Sequence, residues 1–560
     1  MEKEYIVTLK RREDLKSFYD DMETLGGSEF VPDRKVELKD RRAISRNTHY
    51  LLTEEEVEEL KKDDRVLTIE LTPEERGLII KRFDSYAVSG NFDKTPDDPD
   101  DINWGILHCA GDESQRRKGV FGLGGTSQFT DTVTVFNDGE NVDVVIVDEP
   151  VAYDHIEFLD PVTNESRFVQ YLWYSELDQY MVDLPTQEDY TNFISSNPDL
   201  PYYNCSQLYG YSLSHGTHVA GTSVGKRQGW ARKSNIYSIT VNLGSVQDKL
   251  QSSEYMIDYK VFDYLRAFHK YKGTTNPTVT NHSWGYGYNT ITLADLSNIT
   301  SVYYRGSIYS EPEGGWTKSY LESNFGIYMT QSGSEYELDI PAKSASLDAD
   351  VQDAIEDGVI VISAAGNDNY YCVPETHEDY NNYISISGQG AYYYNRGGSP
   401  GSSKDSITVG SISEYSDFRR ASYSNYGPTI NVFAPGSRIY SSIPYATNSF
   451  YGTMSGTSMA TPQVTGIVAC YCSGKTNVNN NSVLSFINEF GLKNEISVDL
   501  NSGGFGDYTT IKDSPNLTIL AVDRRIEYKQ NGVLFFNDTP RKNTNNDIKT
   551  GMVYPRKKIK

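Results

Sequence analysis

Residues 455–462, Ser-Gly-Thr-Ser-Met-Ala-Thr-Pro, place one serine, Ser458, in a setting that suits a nucleophile. Small residues precede it, and a helix-compatible run follows it. Because proline is tolerated in the first turn of a helix, Pro462 predicts a helix that begins at or just after Ser458. The hydroxyl would then lie beside the positive end of a helix dipole. Such a serine still needs a base and an oxyanion site before it can attack a carbonyl.

A base is offered by His215, in the segment Ser-His-Gly-Thr-His at residues 214–218, where the following residues predict a tightly packed helix. Asp148 ends a nearly continuous apolar run at residues 142–148, which is typical of a strand buried on both faces of a parallel sheet. Open α/β sheets carry their chemistry at the carboxyl ends of such strands. A carboxylate there can orient His215 and stabilise its imidazolium.

A second buried strand is predicted at residues 359–366, and it is followed by Asn367. The side-chain amide of Asn367 could donate a hydrogen bond to a developing oxyanion, together with the backbone N–H of Ser458. The four residues therefore supply the parts needed for acyl transfer.

The chain order Asp148, His215, Asn367, Ser458, with these flanking residues, resembles the subtilisin-like serine proteases (subtilases), which have the same order. Residues 405–410, 423–428 and 433–436 also resemble family connectors, so the resemblance covers roughly residues 100–475. It implies an α/β fold, a parallel sheet with helices on both faces, and serine endopeptidase activity through an acyl-enzyme. Removing one oxyanion donor costs about 3 kcal/mol, a value that comes from subtilisin itself.

The segment Thr-Asn-His-Ser-Trp-Gly at residues 280–285 resembles the edge strand with which subtilases pair substrate. The resemblance implies that Asn281, Ser283, Trp284 and Gly285 bind extended substrate by strand addition.

Simpler interpretations exist for each residue. Ser458 could be a helix N-cap, and His215 and His218 share a helix face as a metal pair would. The glutamate of the HExxH motif is missing and no third ligand stands nearby. The family pattern makes His215 the base and His218 a packed neighbour. A catalytically silent binding or structural module on the same scaffold, or an esterase with the same triad, remains the alternative function.

One departure from the family follows Asp148. Many subtilases continue with Ser, Thr or Asp and then Gly, whereas this chain has Glu149 and Pro150. Glu149 would add negative potential near the imidazole and so change the pH dependence. Neither residue removes a catalytic group.

Residues 1–75 have a predicted β-α-β-β-α-β order, which is ferredoxin-like α+β. Strands are expected at residues 4–9, 36–44, 49–52 and 66–71, and a capping box at Thr53 begins the second helix. This order resembles the subtilase inhibitor propeptide. It implies a self-processing zymogen whose own N-terminal domain is an intramolecular inhibitor, cut in a linker at residues 76–100, before residue 98. The alternative is a permanently attached small domain.

The catalytic domain is expected at residues 101–475, with an aromatic-rich insertion at about residues 286–342 and a second aromatic stretch at residues 370–394. Both segments follow directly after motifs that are expected on the substrate-binding side, so they are predicted to line the cleft. The alternative is that they are surface additions unrelated to substrate. Residues 476–560 form a C-terminal extension with one helix, at residues 482–490, and a disordered end.

The composition of the chain argues against some classes of binding partner. The chain has 52 basic and 77 acidic residues, a net charge of −25, which disfavours nucleic acid and anionic membranes. No apolar run approaches the roughly 20 residues that span a bilayer, and the start lacks a signal-peptide core. With five cysteines and no disulfide framework, an intracellular or virion-associated location is expected. The chemistry needs no cofactor. Structural calcium is implied by the resemblance, with no site assigned.

Overall fold

The computed structural model describes residues 2–42, 44–82, 85–86, 104–110, 138–160, 163–169, 214–241, 258–413, 419–444 and 448–493. It also describes positions 171, 173, 177, 180 and 256 and residues 518–519, 528–530 and 533–535. Short 3₁₀ turns occur at Arg12–Asp14, Ile156–Phe158, Asp258–Lys260 and Leu296–Asn298.

The N-terminal unit, residues 2–71, has its own sheet and core. Its elements are β1 (Lys3–Leu9), α1 (Leu15–Met22), β2 (Glu37–Arg41), β3 (Asn47–Leu52), α2 (Glu54–Leu60) and β4 (Val66–Leu71). The sheet is antiparallel with the order β2-β3-β1-β4. Both hydrogen bonds of the predicted capping box form, between Thr53 and Glu56. The predicted β-α-β-β-α-β order is therefore present.

Helix α1 buries Phe18 and Met22. It ends at Met22, and Leu25 is 70% exposed. Gly26 follows with a φ of 69°, a left-handed conformation that favours glycine and turns the chain away from the helix.

Two short strands and a helix follow the N-terminal unit. They are β5 (Leu78–Arg82), β6 (Ser85–Tyr86) and α3 (Trp104–Ala110). The two strands fall within the predicted linker at residues 76–100, and both pair with strands of the main unit, which is formed by the described residues between 138 and 519.

The main unit begins with alternating strands and helices. Its first elements are β7 (Asp143–Asp148), α4 (Ser214–Val224), β8 (Asn235–Thr240), α5 (Val261–Tyr271), β9 (Thr278–His282) and β10 (Trp284–Tyr288). The insertion contributes β11 (Ile291–Leu293), β12 (Ile299–Tyr304), β13 (Ser307–Tyr309), α6 (Lys318–Phe325), β14 (Thr330–Ser332) and β15 (Glu335–Leu338).

The remaining helices are α7 (Ala345–Glu356), α8 (Thr457–Cys472) and α9 (Asn480–Phe490). The remaining strands are β16 (Ile360–Ala364), β17 (Tyr383–Ile386), β18 (Gly390–Tyr393), β19 (Ile407–Ile412), β20 (Val432–Pro435), β21 (Ile439–Ile443), β22 (Phe450–Ser455), β23 (Leu492–Lys493), β24 (Thr518–Ile519), β25 (Tyr528–Gln530) and β26 (Val533–Phe535).

An eight-stranded sheet with the order β23-β24-β20-β19-β16-β9-β7-β8 is the centre of the main unit. All of its pairs are parallel except β23–β24. Alternate residues of β7 enter two different cores: Val144 and Ile146 pack with α4 and α8, and Val145 and Val147 pack with α5 and α7. The predicted parallel sheet with helices on both faces is confirmed.

The two aromatic-rich segments pack against each other. Strand β12 of the insertion pairs with β17, and Tyr303 stacks on Tyr383 with ring centroids 5.0 Å apart. Trp316, Phe325 and Tyr370 lie in one shared apolar core. These aromatic side chains therefore join the insertion to the second aromatic-rich segment.

Among the described residues, no helix combines the length and the apolar character that crossing a membrane requires.

Candidate active site

Asp148 and His215 form a buried pair at the carboxyl end of β7. His215 Nδ1 donates to Asp148 Oδ1 at 2.6 Å, and both side chains are fully buried. The backbone N–H of Glu149 donates to the same carboxylate oxygen at 2.8 Å. Although Glu149 and Pro150 stand where many subtilases have other residues, the backbone N–H at position 149 still donates to the carboxylate of Asp148. The pair has the geometry by which a carboxylate fixes the orientation of an imidazole.

A glycine allows helix α4 to approach the end of β7. A Cβ atom on Gly216 would lie 2.2 Å from the carbonyl oxygen of Glu149 and 3.3 Å from Asp148 Oδ1. No side chain fits at such distances. The glycine after His215 is thus a condition for the contact between His215 and Asp148.

His218 contacts backbone carbonyl groups of the β21–β22 hairpin. Its Nε2 donates to the carbonyl oxygen of Ile439 at 2.9 Å and lies 3.2 Å from that of Gly452. Burial lowers the pKa of His218 to about 3, so the ring is neutral at neutral pH. His218 therefore ties α4 to the β21–β22 hairpin.

Ser458 is the second residue of α8, and it contacts Ser283 through two hydrogen bonds. Ser458 Oγ donates to the carbonyl oxygen of Ser283 at 3.0 Å, and Ser283 Oγ donates to the carbonyl oxygen of Ser458 at 2.9 Å. Pro462 lies in the second turn of this helix and not in the first, because α8 begins at Thr457. Since proline has no N–H, it cannot donate to the carbonyl of Ser458 four residues earlier. Ser283 supplies that hydrogen bond instead.

A chain of buried hydrogen bonds continues from Ser283 back to α8. Asn281 Nδ2 donates to Ser283 Oγ at 2.9 Å, and Thr465 Oγ1 donates to Asn281 Oδ1 at 2.9 Å. The side chains of all three residues are buried. The start of α8 is therefore held by strand β9 and by the loop that follows it.

Asn367 is held by the residue before Ser458. Its Oδ1 accepts hydrogen bonds from the backbone N–H of Thr457 at 3.0 Å and from Thr457 Oγ1 at 2.9 Å. Because these donors identify the amide oxygen, the NH₂ group is what Asn367 can offer to an anion. The same two residues join the end of β16 to the start of α8.

The predicted substrate strand at residues 280–285 is two strands. Asn281 belongs to β9, which lies inside the main sheet between β7 and β16. Its backbone edges are occupied, so Asn281 differs from the prediction and is a buried structural residue. Trp284 and Gly285 belong to β10, and Trp284 Nε1 donates to the carbonyl of Val147 at 3.0 Å. Strand β10 lies outside the eight-stranded sheet. Its backbone edge is the part of the predicted segment at which a further strand can pair.

That edge is covered by residues from the N-terminal part of the chain. Strand β5 pairs antiparallel with β10, with Trp284 opposite Arg82 and Tyr286 opposite Ile80. Strand β6 pairs antiparallel with β22, with Ser455 opposite Ser85.

Sequence reasoning named Asp148, His215, Asn367 and Ser458 as candidates but did not name two residues that the structure brings to the same region. These are Thr457, which hydrogen-bonds to Asn367, and Thr465, which hydrogen-bonds to Asn281. Thr457 directly precedes Ser458 in the same sequence motif, so the motif itself could have indicated that Thr457 lies at the site. Thr465 lies two turns further along α8, and no local pattern links it to Asn281.

Among the residues that the structure describes, no group of three or more His, Cys, Asp or Glu side chains is arranged to hold a metal ion.

A sequence model of the subtilase family matches residues 139–489, which is more than half of the chain. Alkaline protease 1 of Aspergillus flavus is 26% identical over 406 residues, which cover 69% of this chain and 75% of that protein. Alkaline protease 2 of Aspergillus fumigatus is 25% identical over 354 residues, covering 62% and 56%, respectively. A solved cold adapted subtilisin-like serine proteinase aligns with a TM-score of 0.42 and 21% identity, over 74% of this chain and 97% of its own. The extent of the family match establishes that the chain belongs to the subtilase family of serine endopeptidases.

Proposed function

We propose that this protease hydrolyses peptide bonds with Asp148, His215 and Ser458 as its catalytic triad. The observation that carries the proposal is the buried hydrogen bond of 2.6 Å between His215 Nδ1 and Asp148 Oδ1. This bond leaves Nε2 as the nitrogen that can accept a proton from Ser458.

The reaction uses each residue in turn. The Ser458 hydroxyl leaves its hydrogen bond with the Ser283 carbonyl, transfers its proton to His215, and attacks the peptide carbonyl. Asp148 stabilises the imidazolium, and His215 then protonates the leaving amine. Water, activated by His215, hydrolyses the acyl-enzyme in the second half of the reaction.

The oxyanion is stabilised by the amide NH₂ of Asn367 and the backbone N–H of Ser458. Two hydrogen bonds from Thr457 hold the Asn367 oxygen and support this assignment. Because the amide is oriented before substrate arrives, it needs no reorganisation in the transition state.

A fluorophosphonate probe tests the triad, because it reacts with an activated serine. We expect labelling of the wild-type protein and its loss in Ser458→Ala. Ser473→Ala is the control, since Ser473 caps the far end of α8 and its hydroxyl contacts the carbonyl of Glu140. Equal labelling of all three proteins, or none of the wild type, would contradict the proposal and favour a catalytically silent scaffold. Digestion of an unfolded protein by the wild type distinguishes a protease from an esterase.

We also propose that the N-terminal unit is an intramolecular inhibitor that the enzyme cuts from itself. Strand β5 lies on the edge of β10, where the backbone of an extended substrate would pair. Substrate and β5 therefore compete for one edge.

The contact between the N-terminal unit and helices α5 and α7 supports this role. Arg42 donates to Asp263 at 2.7 Å and to Asp350 at 2.9 Å, and Arg46 donates to Asp353 at 3.1 Å. These charged groups are all nearly buried by the contact. Buried charges of this kind are tolerated only when they are paired.

Glu70 makes a second contact at the start of α7. It accepts hydrogen bonds from the backbone N–H of Ser346 at 2.8 Å and from Ser344 Oγ at 3.1 Å. A carboxylate is favoured at a helix N-terminus by the unpaired N–H groups and by the helix dipole. The N-terminal unit thus stabilises two helices of the protease, which suits a folding template.

The masses of freshly purified wild-type and Ser458→Ala proteins test self-processing. We expect two fragments from the wild type and one full-length chain from the variant. Full-length chains from both proteins would mean that the N-terminal unit is a permanent part of the enzyme.

A further inference from the structure

A second asparagine, Asn425, holds the loop that carries Asn367. Asn425 lies in the connector at residues 423–428, and its side chain is fully buried. Its backbone N–H donates to the carbonyl oxygen of Gly366 at 3.0 Å. The connector is therefore bonded to the residue that directly precedes Asn367.

The side chain of Asn425 bonds to the backbone on both sides of Asn367. Its Nδ2 donates to the carbonyl oxygen of Ala365 at 2.9 Å, two residues before Asn367. Its Oδ1 accepts from the backbone N–H groups of Asp368 at 3.2 Å and of Tyr370 at 2.8 Å, which follow Asn367. Nδ2 also lies 3.2 Å from Asp368 Oδ2. Both ends of one amide are thus used to fix the course of a single loop.

Gly366 allows this close contact. It has a φ of 101°, in the region that favours glycine, and a Cβ atom there would lie 2.4 Å from Asn425 Nδ2. Its N–H group donates to Thr457 Oγ1 at 3.3 Å. The backbone directly before Asn367 is therefore held by both Asn425 and Thr457.

Two separate sets of contacts consequently determine where the Asn367 amide lies. The hydrogen bonds from Thr457 fix the rotation of the amide, because they occupy its Oδ1. The bonds to Asn425 fix the backbone from which that side chain extends. Asn367 is partly exposed and can meet a substrate, whereas Asn425 is buried beneath the loop's backbone contacts.

We propose that Asn425 is a positioning residue for the oxyanion site and acts through Asn367. It sets the place of the loop before substrate arrives, so that the Asn367 amide needs no reorganisation when negative charge develops. This inference rests on the oxyanion role proposed for Asn367 and adds the residue on which that role depends.

Two substitutions of Asn425 test the proposal in the full-length protein. Asn425→Ala removes the side-chain hydrogen bonds and keeps the backbone bond to Gly366. Asn425→Asp keeps an acceptor for the N–H groups of Asp368 and Tyr370 but places an oxygen against the carbonyl of Ala365. We expect each to lower kcat for a peptide amide about 10- to 100-fold with little change in KM, because a misplacement of about 1 Å can cost about 100-fold. Complete labelling with fluorophosphonate counts the active sites, so that kcat refers to folded enzyme.

A double-mutant cycle separates positioning from general support of the fold. Asn367→Ala should lower kcat about 100- to 1,000-fold, as the loss of one oxyanion donor does. Without the Asn367 amide there is nothing left for Asn425 to position. Adding either Asn425 substitution to Asn367→Ala should then lower kcat by no more than about twofold further.

Asn382 provides the matched control. It is equally buried, and its amide bonds to three residues, Asp379, Asn395 and Arg305. These contacts lie within the insertion and the second aromatic-rich segment. Asn382→Ala should lower the free energy of unfolding in urea to an extent comparable with Asn425→Ala and leave kcat unchanged.

A loss of kcat in the single Asn425 variants that disappears in the Asn367→Ala background supports the assignment. A further loss of more than about twofold in that background, unchanged kcat in the single variants, or failure of both variants to fold overturns it. The oxyanion role of Asn367 is judged separately, from Asn367→Ala alone. Unchanged kcat in Asn367→Ala overturns that role together with this inference, and leaves the triad to the probe experiment.

Discussion

Ser458, the proposed nucleophile, depends on a side chain from outside its own helix. Pro462 cannot donate to the carbonyl of Ser458, and Ser283 donates to it instead. Ser283 is oriented by Asn281, which is oriented in turn by Thr465. At the scale of single residues, Thr465 is therefore a positioning residue for Ser458.

We expect Thr465→Val to lower kcat by about tenfold with little change in KM, because a buried polar group that loses its partner costs about 1–3 kcal/mol. The matched control is Thr461→Val, since the Thr461 hydroxyl bonds to the carbonyl of Thr457 within the same helix. Steady-state kinetics on a peptide substrate measures both. An equal loss in the two variants would mean that threonine hydroxyls in α8 act on stability and not on the nucleophile.

At the scale of elements, the site requires close contact between helices α4 and α8, which carry His215 and Ser458. Val219 and Ala220 of α4 share a core with Met459, Ala460 and Val464 of α8. Gly466 permits this approach, because a Cβ there would lie 2.5 Å from the carbonyl oxygen of Ser223 and 2.8 Å from the Cβ of Trp230.

Gly466→Ala should therefore force the two helices apart. Overpacking of this kind costs about 1–3 kcal/mol, and the same displacement should reduce kcat. Urea unfolding and kinetics on one preparation measure both effects. Unchanged stability would show that the helices can separate without cost at this point.

At the scale of the whole molecule, paired buried charges hold the N-terminal unit on the protease. Arg42 is 2% exposed and contacts two carboxylates of comparable burial, whereas Arg12 is 37% exposed and contacts Asp353 at 3.4 Å and Asp357 at 3.3 Å. Removing one partner of a buried pair costs about 3–5 kcal/mol, and an exposed pair contributes about 0–1 kcal/mol.

Arg42→Ala should therefore release the N-terminal fragment after cleavage, and Arg12→Ala should not. Size-exclusion chromatography of the processed proteins measures whether the fragment elutes with the protease. Retention of the fragment by Arg42→Ala would show that the backbone pairing of β5 with β10 holds it without the ion pairs.

Local patterns in the sequence predicted most of the elements and the candidate reactive residues. Apolar runs predicted the parallel strands, the capping box predicted the start of α2, and the order of the motifs indicated the family. Each of these signals lies within a few consecutive residues, where hydrogen-bonding groups and apolar faces act on their near neighbours. The roles of Asp148, His215, Asn367 and Ser458 stay predictions that the probe experiment decides.

The tertiary structure decided what depends on residues far apart in the chain. Strand β9 became an interior strand because β7 and β16 pair with both of its edges, which no local pattern of Asn281 reveals. The pairing of β5 with β10 joins positions about 200 residues apart, and the ion pairs of Arg42 reach further still. Sequence alone identified the candidate reactive groups, since reactivity belongs to residue types. Only the fold determined which strands lie side by side, since that pairing joins segments that are far apart in the chain.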